Sequence, residues 1–322
     1  MQSDNSHSSK PMWFELFWLS ALALFLELLI IRWLASEIRA FTIFKNFPLI
    51  ACYVGLGMGF MQANNNTQLV KFFPSLLLML VILILSADRT GITRMLTPGL
   101  AWGGLENAWI DAAHPAPAAI SSPTYYICFS IIAFFGLLVL VAIIMASLGQ
   151  RLGQLFNQGT PLQSYLINLL GSVFGIAGFS LLSLLCTPPL IWVAVCCSAA
   201  ALLFRHNKLN IAILLTVIVS IAALPSKNIF SSEQNPRSHI VWSPYHRIDI
   251  APYDIDTAKG EKKEIGYQFS ANKGYLQQAL NLSDNFVSTL IEPARKRVES
   301  FRLDQYELPY LFCHPPYCSH HG

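Results

Sequence analysis

Hydrophobic and polar positions divide this chain at one place. Up to Leu224 long apolar runs alternate with short polar breaks, and from Ser226 onward charged residues are scattered through everything that follows. Of the 39 charged residues, 17 fall in the first 225 positions and 22 in the last 97. Against the roughly 20 apolar residues needed to cross a hydrocarbon core, seven runs are candidate spans: 12–34, 47–61, 72–86, 125–148, 165–186, 189–204 and 209–224. The second, third, sixth and seventh are short, so six spans with one re-entrant segment is the competing arrangement.

Composition strengthens that picture. The chain is 54% hydrophobic and 12% charged, with a mean hydropathy of +0.47, whereas soluble domains carry about a quarter charged residues. The expected fold class is an α-helical polytopic membrane protein with a small C-terminal α+β extramembrane segment. Its parts are a polar tail over 1–11, a helical bundle over 12–225, an extramembrane β-hairpin and helix segment over 226–310, and an atypical tail over 311–322. The first run lacks a small-residue cleavage site and is read as a span rather than a removable signal. A net charge of +3 gives no footprint for nucleic acid, and the basic triplet Arg295-Lys296-Arg297 reads as a solvated helix face. The expected partner is the lipid bilayer, and the expected location is integral to a membrane of the bacterial inner type. Seven spans would put Lys10, Lys71, Arg151, Arg205 and Lys208 on one side and Arg39, Lys45, Arg89, Arg94 and Lys227 on the other, so positive charge leaves the orientation open.

Within the bundle, the informative residues are the polar ones. Glu27 lies inside the first span, where an ionisable group costs about 2.5–3.5 kcal/mol on insertion scales and needs a partner or a wet cavity. Arg32 is five positions on, about 140° round the helix, so it does not share a face with Glu27 and is expected to snorkel. Asn168 and Ser172 do share a face and can hydrogen-bond to a neighbouring helix. Gly55 and Gly59, in Gly-Leu-Gly-Met-Gly, follow no strand and read as a packing face rather than a phosphate loop; Gly171 and Gly175 read the same way. Such small-residue faces also offer a route to a homo-oligomer. Cys52, Cys128, Cys186, Cys196 and Cys197 lie in apolar runs as small hydrophobes. The connection over 87–123, with Trp102, Gly103, Gly104 and Trp109, suits a loop at the interface.

Beyond the break, Trp242-Ser243-Pro244-Tyr245 is followed by His246, Ile248 and Ile250 alternating with Arg247 and Asp249, the pattern of a first β-strand. A second alternating run over 265–269 completes a hairpin with a long loop over 254–263. Residues 272–282 read as a turn and short helix. Ser283 and Asp284 suit the start of a helix over 285–291, and Pro293 the start of another over 294–301.

Several stretches together resemble the membrane-embedded relatives of spermidine synthase, in which a polytopic bundle precedes an aminopropyltransferase-like domain. They are Glu27-Leu28-Leu29-Ile30-Ile31-Arg32, Lys45-Asn46-Phe47-Pro48-Leu49, Gly55-Leu56-Gly57-Met58-Gly59-Phe60, Tyr165-Leu166-Ile167-Asn168-Leu169-Leu170-Gly171-Ser172, Trp242-Ser243-Pro244-Tyr245, and Asn272-Lys273-Gly274-Tyr275-Leu276-Gln277-Gln278-Ala279-Leu280 ahead of Leu308-Pro309-Tyr310. The resemblance implies a β entry domain with Tyr245, Tyr275 and Gln277 on one wall of a substrate pocket. It also implies a Rossmann-like domain that takes decarboxylated S-adenosylmethionine or a related nucleoside in full-length relatives.

After Tyr310 the chain departs from that pattern, because no glycine-rich turn and no ribose-binding carboxylate follow. The resemblance then implies a truncated or frameshifted relative with no catalytic residue and no cofactor in the chain as given, inactive as an aminopropyltransferase. Cys313, His314, Cys318, His320 and His321 are zinc-type ligands, but their spacing fits no standard pattern, so no metal site is assigned. The competing function is a small polytopic transporter for a polyamine or other cation, working through Glu27 and the polar face of the fifth span.

Overall fold

The computed structural model describes residues 12–65, 68–90, 123–204, 207–223, 237–256, 262–273, 275–290, 292 and 294–301. The protein is mostly helical, with a small antiparallel sheet. The helices are α1 (Met12–Glu37), α2 (Arg39–Ile43), α3 (Asn46–Met61), a 3-10 turn over Leu69–Phe72, α4 (Phe73–Thr90), α5 (Pro123–Phe156), α6 (Pro161–Leu184), α7 (Pro189–Phe204) and α8 (Lys208–Ala223). Among the described residues, four stretches are long and apolar enough to cross a membrane: Met12–Glu37, Leu69–Ala87, Ile131–Phe156 and Pro161–Leu184; α3, α7 and α8 are shorter. Trp102, Trp109, Tyr310 and the Cys313–His321 ligand set lie outside the described residues.

A helix that is apolar all round is buried, and α1 takes the centre. Leu16, Leu19, Leu22, Leu26, Leu29, Ile30, Trp33 and Leu34 are all buried there. At 26 residues it is about 39 Å long at 1.5 Å per residue, more than a hydrocarbon core. Its neighbours approach on glycines. A Cβ at Gly171 or Gly175 of α6 would fall on the carbonyl oxygens of Phe17 or Ala21 of α1, and one at Gly55 or Gly59 of α3 on those of Ala142 or Ala146 of α5. Each of these two faces is occupied by a helix of the same chain. The outside of the bundle is apolar too, with Tyr53, Met61, Ile132, Val139, Val173, Leu181 and Val219 exposed. That surface suits lipid rather than water.

Four strands follow: β1 (His239–Trp242), β2 (Arg247–Asp256), β3 (Lys262–Ala271) and β4 (Tyr275–Leu280), an antiparallel meander in the order β1-β2-β3-β4. Two of these depart from the expected hairpin. β1 precedes the alternating run, so the run is the second strand. Residues 275–280 form an edge strand where a short helix was expected. Leu, Gln and Ala favour helix, but propensity is a small term and tertiary pairing overrides it. The pairing is set by the turn before it, where Asn272 (φ 51°) and Lys273 (φ 54°) are both left-handed and bring Tyr275 opposite Ala271. Helices α9 (Asp284–Val287) and α10 (Ala294–Phe301) cover a second small core of Ile255, Ile265, Val287, Leu290, Ala294 and Val298. Ser283 holds the N-cap position of α9, but its hydroxyl bonds Asn281 rather than the helix.

Candidate functional site: the junction of bundle and sheet

The chemistry of the described residues concentrates where the sheet meets the end of the bundle. Pro244 has no amide hydrogen and cannot extend a ladder, so the chain turns between β1 and β2. The Ser243 hydroxyl accepts the His246 amide at 2.9 Å, and the Ser243 amide donates to the His246 carbonyl at 2.9 Å. Three helices grip this turn. Arg32 of α1 donates to the Ser243 carbonyl at 2.6 Å and to the Ser183 hydroxyl of α6, which donates in turn to the Pro244 carbonyl at 2.7 Å. The Arg32 guanidinium also lies 4.6 Å from the ring centre of Trp192 in α7, and Trp192 meets Trp242 of β1 edge to face at 5.3 Å. Arg32 thus ends on protein partners rather than snorkelling to the lipid surface.

Next to the turn is a buried charge cluster. Glu37 ends α1, at the negative end of the helix dipole, where a carboxylate is disfavoured unless cations meet it. The sheet supplies two. Arg247 donates to Glu37 Oε2 at 2.6 Å and Lys273 to the same oxygen at 3.0 Å, while Arg247 also holds Asp249 at 2.8 Å. Side-chain exposure is 0% for Arg247 and Asp249, 3% for Glu37 and 7% for Lys273, so these pairs are screened by protein alone. Among the described residues, two cations meet two carboxylates here. Burial pushes the Asp249 carboxyl above the usual carboxylate range, and the adjacent Arg247 pulls the other way. Asp249 Oδ2 is buried with no hydrogen-bond partner among the described residues.

Asn272 ties the two parts together. Its side-chain oxygen accepts the Arg247 amide at 2.9 Å, its own amide donates to the Arg247 carbonyl at 2.8 Å, and its carbonyl faces the Thr42 hydroxyl of α2 at 3.0 Å. Left-handed conformations are uncommon for a lysine. At Lys273 the strain is held by the buried contact with Glu37.

The residues singled out from sequence fall in different places. Glu27 is half-buried near Cys52 of α3, and among the described residues no hydrogen bond or ion pair reaches its carboxyl. Asn168 accepts a hydrogen bond from Ser20 of α1 at 2.8 Å. Tyr245 is 78% exposed in the turn, Gln277 is exposed on β4, and Tyr275 opens that strand. No group of three His, Cys, Asp or Glu among the described residues is placed to hold a metal ion. Glu37, Arg247, Asp249 and Lys273 are the members that sequence reading missed. The available signal was Arg247 and Asp249 two apart on one strand face, beside a lysine in a tight turn.

The cluster holds no nucleophile and no base open to a substrate. What it does is fix orientation, since two buried cations and a forked arginine leave the sheet little freedom to rotate on the bundle. Arg32→Met is accordingly expected to lower stability by about 1.5–3 kcal/mol, the value of hydrogen bonds to a charged group. Arg32→Lys should recover less than half of the loss, because a lysine has no fork to span Ser183 and Ser243. Denaturant titration in detergent measures both.

The chain matches no family model, no curated protein and no solved structure.

Proposed function

We propose that this chain is the integral membrane module of a spermidine synthase-like protein, a seven-span bundle that holds an aminopropyltransferase-like β entry unit at a fixed angle to the bilayer. One observation carries the reading. Three of the stretches that bear the resemblance, far apart in the chain, meet at the junction. Arg32 closes the first and grips Ser243 in Trp242-Ser243-Pro244-Tyr245, while Asn272 and Lys273 open the last and reach Arg247 and Glu37.

In this reading the bundle is a platform. By the resemblance, Tyr245, Tyr275 and Gln277 would form one wall for an amine or nucleoside, and none of them is a general base able to activate the amine. Purified protein given decarboxylated S-adenosylmethionine and putrescine is therefore expected to bind the nucleoside without saturation at micromolar concentration and to form no spermidine. Saturable micromolar binding by calorimetry, or spermidine above the enzyme-free control, would overturn this. The half-buried carboxyl of Glu27 favours the second reading, a polyamine or cation transporter. Uptake of labelled putrescine into proteoliposomes that disappears in Glu27→Gln would establish that reading and remove the first.

A further inference from the structure

We propose that His246 is a pH sensor, an imidazole whose neutral form favours docking of the sheet on the bundle. Asn272 fixes the tautomer. Its side-chain oxygen is committed to the Arg247 amide at 2.9 Å, and a backbone N–H can only donate. The other end of that side chain is then the NH2 group, and it lies 3.0 Å from His246 Nδ1. An NH2 group has only hydrogens to offer, so Nδ1 must present its lone pair. That is the neutral imidazole with its proton on Nε2.

Protonation puts a hydrogen on Nδ1 facing the hydrogens of the amide. Flipping the amide does not relieve the conflict, since it would turn the NH2 onto the Arg247 N–H. The imidazolium therefore breaks one bond of Asn272 whichever way the amide points. Asn272 is not a peripheral residue, because its carbonyl meets Thr42 of α2, its side chain positions Arg247, and its neighbour Lys273 reaches Glu37 of α1. A change at Asn272 therefore bears on three contacts between sheet and bundle: Asn272 with Thr42, Arg247 with Glu37 and Lys273 with Glu37.

The surroundings act in the same direction. Lys45, just ahead of α3, and Arg32 of α1 face the imidazole; with burial, the first cause, they lower its proton affinity below the ordinary histidine value. Beyond Asn272 lie Lys273, Glu37, Arg247 and Asp249. The docked state thus binds fewer protons at His246 than the undocked state, so docking is complete above the ordinary imidazole range near 6.5 and weakens as pH falls below it. Asp249 works in the opposite sense, because its carboxyl is pushed up by burial and a fall in pH favours its docked, protonated form. A substitution must separate the two.

His246→Asn does so, placing an acceptor near the position of Nδ1 that never titrates. In nanodiscs, hydrogen exchange of amides in 247–256, corrected for intrinsic rate, is expected to lose about fivefold in protection from pH 7.5 to 5.5 in the wild type relative to His246→Asn; this is the factor of one ordinary hydrogen bond. Asn272→Asp supplies the second test, since a carboxylate there accepts both the Arg247 amide and an imidazolium, and the pH trend should reverse. Identical pH profiles for the wild type and His246→Asn, or an unchanged trend in Asn272→Asp, would overturn the assignment.

Discussion

Replacing Arg247 by methionine is expected to lower stability by about 3–5 kcal/mol, the cost of removing one partner from a fully buried ion pair. The loss exceeds the value of the contact itself. Glu37 and Asp249 both lose that cation, and among the described residues only Lys273, on Glu37, remains within 3.0 Å. Removing every charge should cost less. In the quadruple variant Glu37→Gln, Arg247→Met, Asp249→Asn and Lys273→Met, no charge of this group is left stranded, and the penalty is expected to fall below that of Arg247→Met alone. Denaturant titrations of the two proteins in the same detergent decide the matter. If the quadruple variant is the less stable, the cluster contributes net electrostatic stability that its desolvation does not offset.

The other large effect is expected from Gly175→Leu. A Cβ there meets the carbonyl oxygen and Cα of Ala21, so backbone rather than a yielding side chain must move. Overpacking penalties run to about 3 kcal/mol, and this position belongs at or beyond that end. Gly178→Leu is the internal control, because its Cβ would meet nothing closer than Phe25 at 3.9 Å. Equal melting temperatures for the two variants in detergent would mean that α1 and α6 are not in backbone contact.

The bundle was legible because its signal is local. An apolar run announces a helix without reference to anything else in the chain, and the runs at 47–61 and 189–204 fall within one residue of α3 and α7. The junction was not legible, for two physical reasons. Alternation along β2 invites burial of Ile248 and Ile250, yet Arg247 and Asp249 carry 0% exposure while the isoleucines are only half-buried. A charged face can turn inward only if its counter-charges wait on another element. For Arg247 that counter-charge is Glu37, 210 positions away in sequence, and Lys273 reaches the same carboxylate across 236 positions; no periodicity links them. Residues 275–280 failed differently, since a helix-prone composition was overruled by a turn whose left-handed residues are an asparagine and a lysine instead of glycine.

The distance between Glu37 and its cations also sets a timetable. A ribosome adding about 5–20 residues per second delivers Arg247 roughly 10–40 s after Glu37, given the 210 positions between them. For that interval α1 ends in a carboxylate with neither cation yet made, which holds the helix terminus at the water boundary because burying it alone is too costly. The charge that joins the two halves is therefore made long before either of the cations that meet it.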